Sequence, residues 1–287
     1  MFNFFATIFG YVLNYIYGIV NNYGLSIILF TILLKLIMLP ISIKQQKTMK
    51  KSAKVQGQVK EIQDKYKNDP TRMNQEIMDL YKKENMSPFG GCFSSIIQIV
   101  LIISMFYLVS RPLTYMKHVD TELINQYSQE LQETEGRANY QEIGIIRLKG
   151  NEDDRVNLNM NFLGLNLSAV PSQNYSDPKV FIIPVLYVIT SIISTRITTK
   201  LNSPKNKKEE KKEEVSKDTK ELVKKEDDEN IDMMEEMNKN MTLMMPLMTV
   251  SIALIAPLGL ALYWLINNIF MLTERLLLNK YLKSEEE

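Results

Sequence analysis

Lys35 is the one charged side chain in the apolar run FTILLKLIMLP, residues 30–40. A lysine at the centre of a membrane-spanning helix costs roughly 2.5–3.5 kcal/mol on insertion scales, so an ionisable residue there marks a functional site by default. Lys35 stands five residues before Pro40, the inner end of the run. At 1.5 Å per residue that is a shortfall of about 7–9 Å, much of which a lysine stem covers by snorkelling. By position alone, a snorkelling lysine and a lysine in a polar pocket fit equally. The other polar residues favour the pocket. Thr31 lies one turn from Lys35 on the same face, with Ser26 farther out. Gln98 interrupts FSSIIQIVLIISMFYLVS about one turn from its start. LALYWLINNIF, 260–270, sets Tyr263, Asn267 and Phe270 along one helix face, with Trp264 and Asn268 beside it. Taken singly, Gln98 or Asn267 reads as an interhelical hydrogen bond. Together with a charge, and all in the inner half of the membrane, they read as a shared hydrated pocket.

The rest of the chemical inventory is thin. One cysteine, Cys92, leaves no intrachain disulfide or thiolate cluster, and one histidine, His118, leaves no His triad or His-rich zinc site. No glycine-rich phosphate loop is present. No metal, cofactor or catalytic residue is therefore expected. A Ser/Lys hydrolase would need a serine against Lys35, but Ser26 is nine residues away, and Ser94 or Ser95 would have to approach from another span. A transporter or channel is disfavoured because no inverted repeat is visible and no acidic residue is counted inside a span. A net charge of +1 argues against a specific nucleic-acid partner.

These residues must be held by membrane-spanning helices. The averages, 45% apolar and 23% charged, resemble those of a soluble protein, yet residues 1–34 carry no charge and 205–239 are mostly Lys, Glu and Asp. The class must therefore be read segment by segment. Apolar runs of about 17–25 residues are long enough to cross a bilayer. They place spans at 23–41, 93–110 and 179–197, and the block from 241 onward divides at Ala256–Gly259 into 241–256 and 257–277. Pro257 and Gly259 supply that break. Residues 1–22 hold Phe5, Phe9, Leu13, Ile16 and Val20 at helical spacing, which favours an interfacial helix lying on the membrane over a sixth span. Lysines crowd 42–92 and recur in 198–240, whereas 111–178 is acidic on balance. The positive-inside rule puts the lysine-rich segments and the tail 278–287 in the cytoplasm. The fold class is thus an all-α integral membrane protein with five core spans, N-terminus outside and C-terminus inside.

Within 42–92, two amphipathic helices meet at KNDPT, with Asp69 as cap and Pro70 at the first helical position. Val55, Val59, Ile62 and Tyr66 share one face, and Met73, Ile77, Leu80 and Tyr81 share the other. The result is a helical hairpin. Its cations, among them Lys60, Lys65, Arg72 and Lys82, either keep a cytoplasmic loop soluble or form a contact surface. Residues 203–236 have the composition of a disordered tether. In the outer segment, YQEIGIIRLKG and NLNMNFLGLNL show strand-like alternation and allow a small folded element.

Several motifs in order resemble the YidC family of membrane protein insertases, with its mitochondrial and chloroplast (Albino3) relatives. NNYGLSIILFTILLKLIMLPISIKQQKTMKK resembles the family's first core span, its intramembrane arginine falling on Lys35. VKEIQDKYKNDPTRMNQEIMDLYKKENMSPFGGCFSSIIQ resembles the cytoplasmic hairpin and second span. NFLGLNL resembles the stretch before span three, and MMPLMTVSIALIAPLGLALYWLINNIF the final hairpin. The resemblance implies an insertase with a polar groove open to cytoplasm and lipid, lined by Lys35, Thr31, Gln98, Tyr263, Trp264 and Asn267. It implies nascent membrane proteins as substrates, with ribosome and Sec translocon as partners, a monomer when active, and a bacterial plasma membrane location. Three departures stand out. Lysine replaces arginine, which keeps the charge but loses the planar fork. SPFGGCFSS replaces the commoner Asn-Pro start and the proline after Cys92. The large periplasmic domain and the lipoprotein cysteine of many relatives are not seen, and the outer loop is longer than in compact members.

Overall fold

A computed structural model describes residues 2–84, 90–136, 138–202 and 251–284, without the side chains of 53, 56, 90–98, 199–202 and 282–284. The expected tether at 203–236, most of the span at 241–256 and the side chain of Gln98 lie outside the described residues. The chain is mostly helical, with α1 at Phe2–Val20, α2 at Tyr23–Lys65, α3 at Pro70–Lys83 and α4 at Gly90–Ser110. An outer group follows, with α5 at Pro112–Tyr115, α6 at Thr121–Glu135, α7 at Gln141–Lys149 and a two-strand hairpin of β1, Asn161–Phe162, and β2, Leu165–Asn166. Two 3-10 turns lead into α8, Ile182–Asn202, and the final helix α9 covers Leu258–Ser284.

Among the described residues, three helical segments, Phe2–Val20, Tyr23–Lys65 and Pro178–Thr198, are long and apolar enough to cross a membrane. Their outward faces carry exposed stripes such as Leu25, Leu29, Leu33 and Leu36 on α2, and Val185, Leu186, Ile189 and Ile193 on α8. Contiguous apolar surface of this kind needs an apolar surrounding. α1 packs against α4 and α2, while α9 packs against α8 and α2. Pro40 does not end its helix, for α2 runs through it into the first arm of the hairpin. The missing N–H costs one helical hydrogen bond. The hairpin itself closes as its pattern dictates. Asp69 Oδ1 accepts from Arg72 N at 3.0 Å, Pro70 opens α3, and Val55 and Met73 are buried between the arms.

The segment expected to lie outside, 111–178, is a folded cap. The alternation in YQEIGIIRLKG is not a strand, because residues 141–149 form α7. Ile143, Ile145 and Ile146 are all buried there, and Gly144 lies against the Leu131 side chain of α6. A short helix covered on several sides loses the 3.6-residue stripe that would have revealed it. NLNMNFLGLNL does hold strands, limited to Asn161–Phe162 paired with Leu165–Asn166. Leu163 and Gly164 make its turn with φ of 51° and 77°, the positive pair that a tight two-residue hairpin requires.

This cap binds the start of two long helices. Asn159 O accepts from Tyr23 N at 3.0 Å, and Asn161 O accepts from Asn22 Nδ2 at 2.7 Å. Across the expected break at Ala256–Gly259, Ala169 O accepts from Leu258 N and Leu167 O from Gly259 N, both at 2.9 Å. The first N–H groups of a helix have no partner within it, and here the cap supplies carbonyls. Within the cap, the buried Glu142 carboxylate accepts from Leu113 N at 2.7 Å, Thr114 N at 3.0 Å and Thr114 Oγ1 at 2.5 Å. It thereby caps α5, whose own N-cap, Arg111, makes no side-chain bond.

Two predictions follow from this packing. A Cβ at Gly10 would stand 1.7 Å from Tyr115 O, which is backbone and has no rotamer to yield. Gly10→Ala should therefore lower stability by about 1–3 kcal/mol, the usual cost of overpacking. Gly18→Ala, with nothing within 4 Å of its Cβ, should not; thermal unfolding in detergent compares them. Burial raises the Glu142 carboxyl above its ordinary 4.5, outweighing the hydrogen bonds that lower it. A raised folded value means its stability contribution is whole below pH 4.5 and fades as pH rises through that higher value. Glu142→Gln keeps the hydrogen-bonding shape without ionising, so wild type should lose stability relative to the variant over that rise.

Candidate polar cleft beside Lys35

Lys35 faces α9. Its Nζ lies 3.7 Å from Glu274 Oε2, with the two side chains 25% and 14% exposed. The pair borders a shallow, solvent-open cleft lined by Lys35, Ser42, Gln45, Gln46 and Met49 of α2, and Met271, Glu274, Arg275 and Leu278 of α9. The spacing explains the lining. Positions 35, 42, 45–46 and 49 recur on one face of α2, as do 271, 274–275 and 278 on α9. Between their starts and this point both helices are mostly apolar, so the charged faces meet here, away from the ends that the cap ties together. Arg275 donates to Thr198 Oγ1 of α8 and lies within electrostatic reach of both Lys35 and Glu274. Glu274 Oε1 is buried and makes no hydrogen bond among the described residues.

The six expected groove residues separate into groups. Lys35 lines the cleft. Thr31 is buried one turn farther out, its hydroxyl donating to Ile27 O of its own helix at 2.7 Å. Tyr263 is buried, and Trp264 is half-buried with its ring 6.2 Å from that of Tyr187 on α8. Asn267 is half-buried, while its neighbour Asn268 is buried and donates from Nδ2 to Thr190 Oγ1 at 3.3 Å. The interhelical bond thus belongs to Asn268. Tyr263, Trp264 and Asn267 lie one to three turns from the cleft on α9. Gln98 belongs to α4, its side chain outside the described residues.

The sequence reading passed over Glu274. It counted no acidic residue inside a span, yet Glu274 lies within 257–277 and meets Lys35. This is a correction. The sequence signal is the Glu-Arg dipeptide 274–275, which falls inside the expected span 257–277. Ser42, Gln45 and Gln46 were assigned to the hairpin because Pro40 was taken to end the span.

On the hairpin, Lys65 Nζ and the Arg72 guanidinium both lie over the Tyr66 ring, at 5.0 and 5.2 Å from its centre. They make a cationic tip at the turn. Lys82 is exposed and pairs with Asp79 at 3.5 Å on the far end of α3. Lys60 is exposed on the first arm. The four do not form one cluster. Among the described residues, no group of three or more His, Cys, Asp or Glu is placed to hold a metal ion.

Residues 15–286 match the model of the 60Kd inner membrane protein family. The chain belongs to that family. It is 39% identical over 107 residues to the membrane protein insertase YidC of Chlorobaculum parvum, covering 37% of this chain and 18% of that relative. It is likewise 39% identical over 109 residues to the membrane protein insertase YidC of Francisella tularensis subsp. novicida, covering 38% of this chain and 20% of that protein. The matched region thus spans about a fifth of the length of these relatives.

The two asparagines should separate experimentally. Loss of an interhelical hydrogen bond inside a membrane averages about 0.6 kcal/mol, with a maximum of about 1.7. Asn268→Ala should show such a loss in detergent unfolding, and Asn267→Ala should fall below it.

Proposed function

We propose that this chain is a membrane protein insertase that receives a hydrophilic segment of a nascent membrane protein in the cleft beside Lys35. The apolar helix that follows then leaves sideways into lipid. The observation that carries the reading is a charged, partly open cleft at one end of otherwise apolar helices, in a chain of this family. Insertion requires carrying polar groups across roughly 30 Å of hydrocarbon, and a cleft entering from one side shortens that path. Low-dielectric walls amplify attraction between Lys35 and acidic residues of the incoming segment. The exposed apolar stripes of α2 and α8 support direct contact with lipid. No covalent step and no nucleotide is needed.

In this reading the protein has five spans, N-terminus outside and C-terminus inside, with α1 as an interfacial helix. It sits as a monomer in a bacterial plasma membrane. Thr31, Gln98, Tyr263, Trp264 and Asn267 line the path outward from the cleft, which the segment parts as it enters. The hairpin cations Lys60, Lys65, Arg72 and Lys82 meet the ribosome or the emerging chain, and a Sec translocon is the partner for larger substrates. The membrane potential assists an acidic segment moving towards a positive outside by about 2.3 kcal/mol per charge per 100 mV.

The test is rescue of insertion in cells depleted of their own insertase, with a small Sec-independent substrate. Wild type and Lys35→Arg should restore insertion. Lys35→Glu should reduce insertion of acidic-tailed substrates about ten-fold, equivalent to about 1.4 kcal/mol, with Lys35→Ala between them. Equal insertion by Lys35→Glu and wild type would sink the electrostatic account.

A further inference from the structure

The cleft contains a carboxylate of its own. Glu274 Oε2 is 3.7 Å from Lys35 Nζ, where an acidic residue of an arriving segment would have to sit. Its other oxygen, Oε1, is buried and makes no hydrogen bond among the described residues. Glu274 thus makes its one ion pair among the described residues with Lys35, feels the charge of Arg275 beside it, and keeps one oxygen without a hydrogen bond. Arg275, the adjacent cation, donates to Thr198 and also stands within electrostatic reach of Glu274, so a displaced Glu274 keeps a neighbouring positive charge.

We propose that Glu274 is a resident counter-ion that an acidic residue of the substrate displaces from Lys35, and that it sets how tightly the cleft holds acidic segments. This rests on the insertase reading and adds a specificity-determining residue to it. A lone lysine in a poorly hydrated cleft would be costly to maintain, and removing one partner of such a pair leaves the other uncompensated. It would also grip the first carboxylate to arrive, and a gripped segment is not released. Exchange of one carboxylate for another leaves the number of ion pairs at Lys35 unchanged, so capture and release stay nearly balanced. Glu274 has somewhere to go, because the cleft is open and lined by Ser42, Gln45 and Gln46, which can solvate the displaced carboxylate. Neutral segments do not displace it and pass with the pair intact.

The test uses full-length protein in vesicles carrying a photo-crosslinking residue at Met271, which lines the cleft without taking part in the pair. Two versions of one substrate, differing only by Asp against Asn in the translocated segment, are compared by crosslink yield and by dwell time. Wild type should favour the acidic version modestly. Glu274→Gln should raise the acidic-to-neutral ratio at least three-fold and lengthen the acidic dwell, leaving the neutral version unchanged. Glu274→Asp, which keeps the charge but withdraws it by one methylene, should shift the ratio the same way by less. It also serves if Glu274→Gln does not fold. Adding Lys35→Ala to Glu274→Gln should abolish the gain. If the ratio in both Glu274 variants equals that of wild type while Lys35→Ala alone lowers it, the counter-ion proposal is overturned and the insertase reading stands. If Lys35→Ala alone changes neither yield nor ratio, both fall together.

Discussion

Helices set in an apolar surrounding cannot leave their first N–H groups to water, and that constraint organises this molecule. The starts of α2 and α9 come together at one end. There the segment 159–169 supplies Asn159 O, Leu167 O and Ala169 O to Tyr23, Gly259 and Leu258. The cap is thus part of the solution to a backbone problem as well as a loop joining two spans. Its own fold depends on the same rule at smaller scale, since Glu142 from α7 satisfies the two leading N–H groups of α5. With that end closed by hydrogen bonds and buried apolar side chains, the polar opening between α2 and α9 lies at the other.

That opening is chemically spare. Its lining joins Lys35, Glu274 and Arg275 to a serine, two glutamines and three apolar side chains. The pairing of Lys35 with Glu274 lowers the cost of keeping charge between apolar helices. Because the pair is partly open, water can compete for either partner. A fully buried pair would be rigid and inaccessible; a fully exposed one would be screened to near insignificance. The observed exposure, 25% and 14%, lies between those limits. Where the family's pattern has arginine, lysine offers a point charge on a flexible stem. Such a charge changes partner without breaking a two-pronged contact.

Legibility varied with how local the cause was. The Asp69–Pro70 hairpin turn and the break at Ala256–Gly259 depend on the conformational limits of a few consecutive residues, and both were readable in sequence. Lys35 was readable because charge in an apolar run is conspicuous. The helical nature of 141–149 was not, since burial on several sides erases the periodicity that identifies a helix. Pro40 misled in a related way. A proline that ends most helices is accommodated inside this one, and the residues just past it belong to the cleft. Asn267 and Asn268 are adjacent and chemically identical, and only the rotation of α9 against α8 decides that Asn268 reaches Thr190.

By itself the sequence determined the class of the molecule. Long uncharged runs, lysine-rich segments, a capped hairpin and a lysine inside an apolar run follow from composition and short-range spacing, and they also carry the family's ordered motifs. Tertiary structure decided what Lys35 faces. Residues 35 and 274 are 239 positions apart, and no local pattern joins them. Their meeting depends on the angle and register at which α2 and α9 pack, set in turn by the cap that ties their starts together. A charge announces a site through its own cost, whereas its partner is chosen by geometry.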